Sequence, residues 1–109
     1  MSDTVLTDLY QVVLGRKKEP QEGSYTCYLF QQGIDKICKK VGEESAETII
    51  AAKNGAAEQT VGEVSDLIYH LMVLLAAQDI PLEDVLTELE RRSRKIGNLK
   101  QFKTVDRDT

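Results

Sequence analysis

Carboxylate side chains are concentrated in two short stretches of this sequence. The first stretch, "VGEESAETI" at positions 41–49, contains Glu43, Glu44 and Glu47, and the second, "EVSD", contains Glu63 and Asp66. Like charges one helical turn apart destabilise an isolated helix by about 0.2–0.5 kcal/mol per pair, and by more where they are partly desolvated. A bound cation would relieve this repulsion, so the spacing suggests a metal site.

Magnesium is the cation that best fits these side chains. It prefers hard oxygen ligands, retains several waters and typically joins one or two carboxylates to substrate phosphates. Zinc is disfavoured because the chain has a single histidine and two cysteines without metal-ligand spacing. The sequence also lacks the acidic loop of an EF-hand and the two Glu-x-x-His pairs of a di-iron site. The acidic stretches therefore suit the chemistry of phosphate groups.

A solvated helix surface is the alternative explanation for the same residues. Glutamate favours helices, and lysines such as Lys36 and Lys40 could pair with glutamates on the same helix. Spacing alone leaves the two explanations nearly balanced. The occurrence of a carboxylate pair on each of two successive helices moves the balance modestly towards a metal.

The elements that position these carboxylates are predicted to be helices. Proline occurs only at Pro20 and Pro81, and strand-like alternation is rare, so the fold is predicted to be all-α with four to five helices. Gly33 is a predicted break or kink, and residues 15–23 are a predicted solvated loop. The predicted helices run from about Thr4 to Leu14, Tyr25 to Asn54, Ala57 to Gln78 and Pro81 to Ile96.

Helical spacing of about 100° per residue predicts which side chains face the core. On the helix that carries the three glutamates, the predicted core stripe is Ile34, Ile37, Cys38, Val41, Ser45, Thr48, Ile49 and Ala52. On the next helix, the predicted core face is Val64, Leu67, Leu71, Leu74, Leu75 and Gln78. One carboxylate pair on each helix then borders the apolar surface, at the rim of a cleft.

Composition limits the class of protein. The 109 residues, 41% hydrophobic and 29% charged, fit one domain, predicted at 1–97 with a polar tail at 98–109. A net charge of −4 argues against a nucleic-acid partner. No signal peptide or long apolar run is evident, so we expect a cytoplasmic protein without a membrane partner. Cys27 and Cys38 are expected to be reduced core thiols.

The segment "LIYHLMVLLAA" at positions 67–77 is apolar around nearly its whole circumference. Such a helix is normally buried on all sides, which four or five short helices achieve with difficulty. A homodimer, or a higher even oligomer, that shares a helical-bundle core would bury it. A compact monomer with this helix at its centre is the alternative.

Two longer segments resemble a known enzyme family. They are "GSYTCYLFQQGIDKICKKVGEESAETIIAAKN" and "EVSDLIYHLMVLLAAQDIPLEDVLTELERR", which cover most of the chain. A Glu-Glu-x-x-Glu helix followed by a Glu-x-x-Asp helix resembles the signature of the all-α, MazG-like nucleoside triphosphate pyrophosphohydrolases. "GSYT", "KVGEE", "IAAKN" and "YHLMVLLA" are similar in particular to the phosphoribosyl-ATP pyrophosphatases of histidine biosynthesis.

The resemblance implies a MazG-like helical bundle and a reaction. The implied reaction is the hydrolysis of phosphoribosyl-ATP, a small-molecule nucleotide, to phosphoribosyl-AMP and pyrophosphate, with Mg²⁺ or substituted Mn²⁺. The implied metal ligands are Glu44, Glu47, Glu63 and Asp66. Either Glu43 or Glu47 is expected to accept the proton of the attacking water. The choice between them stays open, because spacing in the sequence does not distinguish a metal ligand from a general base.

Further residues are expected to bind the substrate. The "SYT" group, Ser24, Tyr25 and Thr26, opens a helix at a position that suits phosphate or ribose, although Ser24 is equally a good N-cap. Lys36 and Lys40 would neutralise phosphate charge, or they are ordinary solvated lysines. His70, one turn beyond Asp66, is either a partner of the metal ligands or a satisfied core histidine.

Two other functions remain open from the sequence. Another MazG-like hydrolase, which clears noncanonical or excess nucleotides, would use the same metal site on different substrates. A non-catalytic helical dimerisation module would instead present the acidic ridge to a basic partner. Its stability would not depend on magnesium, and it would tolerate amide replacements of Glu47 and Asp66.

Overall fold

The computed structural model describes residues 4–94 and contains five helices in that range. No strand occurs between residues 4 and 94, which confirms the all-α prediction. The predicted tail at 98–109 and the predicted helix end near Ile96 lie outside the described residues. The helices are α1 (Val5–Lys18), α2 (Tyr25–Gln32), α3 (Ile34–Lys53), α4 (Ala57–Ala77) and α5 (Leu82–Ser93).

The end of α1 differs from the sequence prediction, whereas the predicted interruption at Gly33 is confirmed. Helix α1 continues through Gly15 to Lys18, so the three basic residues of the predicted loop form its last turn. Cations in a last turn are stabilised by the helix dipole, which offsets the low helix propensity of glycine. Gly33, predicted as a break or kink, is a complete break between α2 and α3, because its φ of 93° is not helical and is a conformation that glycine adopts readily.

Local signals at the other ends are confirmed. Ser24 caps α2, and its hydroxyl oxygen accepts a hydrogen bond from the Cys27 backbone N–H at 3.2 Å. Gly55 follows α3 with a φ of 67°, and the short turn that it forms reverses the chain into α4. Helices α3 and α4 therefore form a hairpin and pack along each other.

The core lies between α1, α2, α3 and one face of α4, and the first residue of α5 closes it. Four side chains, Val13, Leu29, Ile37 and Val73, are almost completely inaccessible to solvent. The buried apolar cluster consists of Tyr10, Val13, Leu29, Ile37, Met72, Val73, Ala76 and Leu82.

The prediction of which face of α4 packs against the core is wrong. His70, Met72, Val73 and Ala76 are buried, and they lie on the side opposite the predicted one. On the predicted face, Val64, Leu71 and Gln78 are exposed, and Leu67, Leu74 and Leu75 are half-buried. Both sides of α4 are apolar, so periodicity could not decide which of them faces the core within one chain.

The predicted stripe of α3 is correct only in part. Ile37 is buried and Val41, Ser45 and Thr48 are half-buried, but Ile34, Cys38, Ile49 and Ala52 are exposed. The buried residues of the helix are Ile37, Glu44 and Ala51. Glu44 therefore lies inside the buried face rather than on its border. Cys27 is a buried free thiol as expected, whereas Cys38 is exposed, which corrects its assignment to the core.

Polar contacts hold the turn between α4 and α5 against α1. The Tyr10 hydroxyl donates a hydrogen bond to the Ile80 carbonyl at 2.6 Å. The Lys17 ammonium donates to the Ala76 carbonyl at 2.8 Å and pairs with the Asp79 carboxylate at 2.7 Å. These contacts join residues that are distant in sequence, so they orient α1 relative to the end of α4.

Removing the Tyr10 hydroxyl tests this connection. Tyr10→Phe keeps the buried ring but leaves the Ile80 carbonyl without this donor, so the free energy of unfolding should fall by about 1 kcal/mol. Tyr28→Phe makes the same change at an exposed ring and should leave stability nearly unchanged. Urea unfolding followed by circular dichroism measures both. Equal effects of the two substitutions would contradict the assignment.

Candidate metal centre

Three carboxylates from the two helices of the hairpin converge. Glu44 on α3 and Glu63 and Asp66 on α4 each offer an oxygen atom, and the three atoms lie within 4.8 Å of one another. Glu63 and Asp66 are three residues apart, so both lie on the side of α4 that faces Glu44. The predicted pairing of the two acidic stretches is thus realised by the packing of α3 on α4.

The burial of Glu44 follows from its place in α3. Ile37 and Ala51, seven residues before and after it, are both buried, and residues at that spacing share one helix face. Their packing holds the Glu44 carboxyl inside, where the residue is only 7% exposed. Glu63 is half-buried and Asp66 is exposed, so the cluster opens to solvent on the α4 side.

Two oxygen atoms in this cluster lack a hydrogen-bond partner. Among residues 4–94, Oε2 of Glu44 and Oε2 of Glu63 are buried side-chain atoms without one. The Lys40 ammonium lies 3.7 Å from the other oxygen of Glu44. A buried carboxylate oxygen without a partner is costly, and a hard divalent cation supplies what such atoms need. The residues present therefore fit a hard divalent cation.

The electrostatics of the cluster agree with this fit. Burial, followed by the adjacent Glu47 carboxyl, raises the pKa of Glu44 above its usual range. The Glu47 carboxyl, followed by burial, raises the pKa of Glu63. Without a cation, the ionised forms of Glu44 and Glu63 are therefore disfavoured. Glu47 is itself exposed and is not one of the three carboxylates that converge within 4.8 Å, but its carboxyl is close enough to Glu44 and Glu63 to raise the pKa of both.

Glu43 lies apart from the three converging carboxylates. It is exposed, and its charge acts on Lys40. Burial lowers the pKa of Lys40, but the negative groups around it, which include Glu43 and Glu44, raise it overall. Lys36 lies one turn before Lys40, is half-buried and forms no ion pair within the described part of the chain.

His70 connects the acidic cluster to α2. It is buried, and its Nδ1 donates a hydrogen bond to the Asp66 carbonyl at 2.7 Å. With Nδ1 as the donor, Nε2 of the neutral ring accepts from the Tyr25 hydroxyl at 3.0 Å. His70 is therefore a satisfied core histidine, one of the two expected roles, and it also holds Tyr25 beside the cluster.

The other two members of the "SYT" group are bound by the protein itself. The Ser24 oxygen accepts from the Cys27 N–H, and the Thr26 hydroxyl is hydrogen-bonded to the Tyr69 hydroxyl. Partial burial raises the pKa of Tyr25, while the nearby Lys40 ammonium opposes the shift. Of the three, Tyr25 thus has the closest connection to the acidic cluster.

Sequence reasoning missed an aromatic group around Tyr25. The Tyr25 ring stacks on Tyr28, lies at a tilt to Tyr69 and meets the edge of His70, with centroid distances of 5.8–6.2 Å. The spacing of Tyr25 and Tyr28, three residues apart on one helix, was the available signal. The contacts with α4 depend on tertiary packing and had no signal in the sequence.

The chain is similar to known proteins over most of its length. A family model described as "Phosphoribosyl-ATP pyrophosphohydrolase" matches residues 6–93. A relative from Listeria innocua named "Phosphoribosyl-ATP pyrophosphatase" is 52% identical over 102 residues, covering 94% of this chain and 98% of the relative. A protein of the same name from Pelotomaculum thermopropionicum is 56% identical over 91 residues, covering 84% and 93%.

A further relative is a larger protein. The "Histidine biosynthesis bifunctional protein HisIE" of Caldanaerobacter subterraneus is 59% identical over 91 residues, covering 84% of this chain but only 44% of that protein. The similarity therefore concerns less than half of the bifunctional relative.

Thermal unfolding with and without Mg²⁺ or Mn²⁺ tests the metal centre. Either ion should raise the melting temperature of the wild type, and Glu44→Gln should lose most of this increase because a ligand oxygen is removed. Glu43→Gln changes the exposed neighbour and should keep the increase. An equal response of both variants would contradict the assignment.

The pKa shifts also predict the pH dependence of the metal-free protein. Glu44 and Glu63 have raised pKa values in the folded state, so their ionisation favours the unfolded state. Stability should therefore fall as the pH rises from about 4.5, the usual glutamate value, through the raised values. Glu44→Gln should be more stable than the wild type at pH 7 without metal, and the difference should shrink towards pH 4.5. Melting temperatures measured in chelator across this range give the result.

Proposed function

The chain belongs to the phosphoribosyl-ATP pyrophosphohydrolase family, and we propose that Mg²⁺ held by its acidic centre supports the hydrolysis of phosphoribosyl-ATP. This reaction gives phosphoribosyl-AMP and pyrophosphate and is the second step of L-histidine biosynthesis. The metal assignment is supported by the convergence of three carboxylates, two of which have a buried oxygen atom without a hydrogen-bond partner. A solvated acidic surface, the alternative drawn from sequence, would not bury those atoms.

Four side chains would hold the metal. They are Glu44 and Glu47 on α3 and Glu63 and Asp66 on α4. When bound, Mg²⁺ supplies charge neutralisation of the phosphate oxygens and lowers the pKa of a water. The buried Glu44 anchors the set because its helix is fixed by packing, whereas the more exposed members face the side from which a triphosphate can approach.

Glu47 is the proposed acceptor of the proton from the attacking water. Its carboxyl is exposed to solvent and adjacent to both Glu44 and Glu63, as their raised pKa values indicate. One oxygen of Glu47 can complete the ligand set while the other accepts the proton. Glu43, the other candidate from sequence, is exposed and is not among the groups that shift the pKa of Glu44 or Glu63.

Lys40 and Lys36 are proposed to neutralise the charge of the substrate phosphates. The Lys40 ammonium lies 3.7 Å from Glu44, a loose ion pair that leaves its remaining donors available. Lys36 lies one turn earlier on α3, on the same side of the helix. A row of two ammonium groups beside the carboxylates would extend the site along a triphosphate chain.

Amide variants test the assignment of the acidic residues. Glu47→Gln and Asp66→Asn keep the side-chain shape but remove charge, so pyrophosphate release from phosphoribosyl-ATP with Mg²⁺ should fall about 100-fold or more. Glu58→Gln, an exposed glutamate in the first turn of α4, is the matched control and should keep full activity. Near-normal turnover by both amide variants would overturn the proposed centre.

The choice of substrate is tested by the same assay. Phosphoribosyl-ATP should be hydrolysed far more efficiently than ATP or deoxynucleoside triphosphates at equal Mg²⁺. Comparable kcat/KM values for all of them would instead indicate a general nucleotide-clearing hydrolase.

We also propose that the protein forms a homodimer through α4. Val64 and Leu71, seven residues apart on one face, are 37% and 36% exposed, and half-buried leucines continue the same face. Helix α4 is also long and apolar enough, by length and composition alone, to cross a membrane. Glu63 and Asp66 contribute to the acidic cluster from this helix, so a second protein chain suits its free face better than lipid.

Charge placed on this face tests the dimer. Leu71→Glu should convert a dimer of the wild type to monomers, because it buries an unpaired carboxylate in an apolar interface. Gln59→Glu adds the same charge at an exposed position on another side of α4 and should leave assembly unchanged. Sedimentation velocity measures the mass, and a monomeric wild type would contradict the proposal.

The expected location is the cytoplasm. One relative is named for histidine biosynthesis, and phosphoribosyl-ATP is a charged metabolite. The net charge of −4 also remains unfavourable for binding nucleic acid. The small-molecule nucleotide is the proposed ligand of the site.

A further inference from the structure

An open cleft of about 500 Å³ lies at the start of α2, beside the acidic cluster. Its volume is within the range of small-molecule sites. Its lining combines two tyrosine rings with two glutamine amides and backbone from the loop before the helix. The lining residues are Gln21, Glu22, Gly23, Ser24, Tyr25, Cys27, Tyr28 and Gln31.

The two tyrosines form one aromatic surface in this cleft. Tyr25 and Tyr28 are 45% and 41% exposed, and their rings lie 6.1 Å apart at an angle of 25°. Single exposed aromatics are common on protein surfaces. A stacked pair within a cleft is less ordinary, because the exposed part of the Tyr28 ring is held in place by its neighbour and offers a flat surface to a ligand that is itself flat.

The cleft is connected to the acidic cluster through Tyr25. Its hydroxyl donates to His70, and His70 donates to the carbonyl of Asp66. The edge of the His70 ring supports the Tyr25 ring at a centroid distance of 5.8 Å. This support fixes Tyr25 before any ligand arrives, which lowers the entropy lost on binding. A molecule in the cleft would therefore lie next to the metal centre.

We propose that this cleft binds the purine base of the substrate, stacked on the ring of Tyr28. The assignment rests on the proposed function, since phosphoribosyl-ATP carries an adenine base attached to its triphosphate through a ribose. Gln31 lies one turn beyond Tyr28 and lines the same cleft, so its amide can hydrogen-bond to the edge of the base. The triphosphate then extends past Tyr25 towards Lys40 and the carboxylates.

The polar groups in the loop before α2 and in its first turn favour a base over a phosphate at this position. The Ser24 oxygen is already bonded to the Cys27 N–H, and the Thr26 hydroxyl to Tyr69. Glu22 lines the cleft with a negative charge, which disfavours a phosphate there. The cations assigned to phosphate, Lys36 and Lys40, do not line this cleft and lie on α3.

Steady-state kinetics of Tyr28→Ala test the proposal. Loss of the stacking ring should raise KM for phosphoribosyl-ATP by about 5- to 150-fold, the range measured for stacking of bases on aromatic side chains. The effect should fall on KM rather than kcat, because the residue does not touch the reacting phosphates. Tyr28→Phe keeps the ring and should recover most of the affinity. Gln32→Ala, on the same helix outside the cleft, is the matched control.

Calorimetry with AMP separates this proposal from the proposed function. AMP titrated into the metal-free protein should bind to the wild type and to Tyr28→Phe, and binding should be lost in Tyr28→Ala. If the wild type hydrolyses phosphoribosyl-ATP and Tyr28→Ala keeps both its KM and its AMP affinity, the base lies elsewhere while the reaction assignment stands. Equal losses in Tyr28→Ala and Tyr28→Phe would also overturn stacking, because the hydroxyl rather than the ring would then be responsible.

Discussion

The burial of the Glu44 carboxyl between α3 and α4 is the constraint on which the rest of the structure depends. Ile37 and Ala51 pack the same face of α3, so the helix cannot rotate to release the carboxyl without exposing them. Glu63 and Asp66 then meet Glu44 across the hairpin. Packing of the core therefore holds together three carboxylates that repel one another, and a cation bound between them would be attracted to all three.

Such an arrangement needs support from outside the site. The metal-binding part of α4 is connected to α2 through His70 and Tyr25, and the C-terminal end of α4 is held to α1 through Tyr10 and Lys17. These contacts are hydrogen bonds between residues far apart in sequence. They hold α4 in position and at a fixed rotation, and ligand oxygens must be placed within fractions of an ångström to bind a small ion.

Several features could be predicted from sequence because they depend on neighbouring residues. The helical class, the Ser24 cap, the break at Gly33 and the pairing of two acidic stretches all follow from spacing along the chain. The faces of α3 and α4 could not be predicted as reliably. Leu71 and Val73 are equally apolar, yet one is exposed and the other is buried, because the choice depends on which helices are present to cover each side.

The sequence by itself determined that the chain is all-α and that its two acidic motifs lie on successive helices joined by a short turn. Both follow from helix periodicity and turn residues, which are local properties. Its motifs also indicated the family, which the comparisons confirmed. The tertiary structure alone decided that Glu44 is buried, that Glu43 stays outside the cluster and that Tyr25 reaches His70 across the core. Each of these depends on the rotation of one helix against another, and that rotation is set by packing between residues distant along the chain.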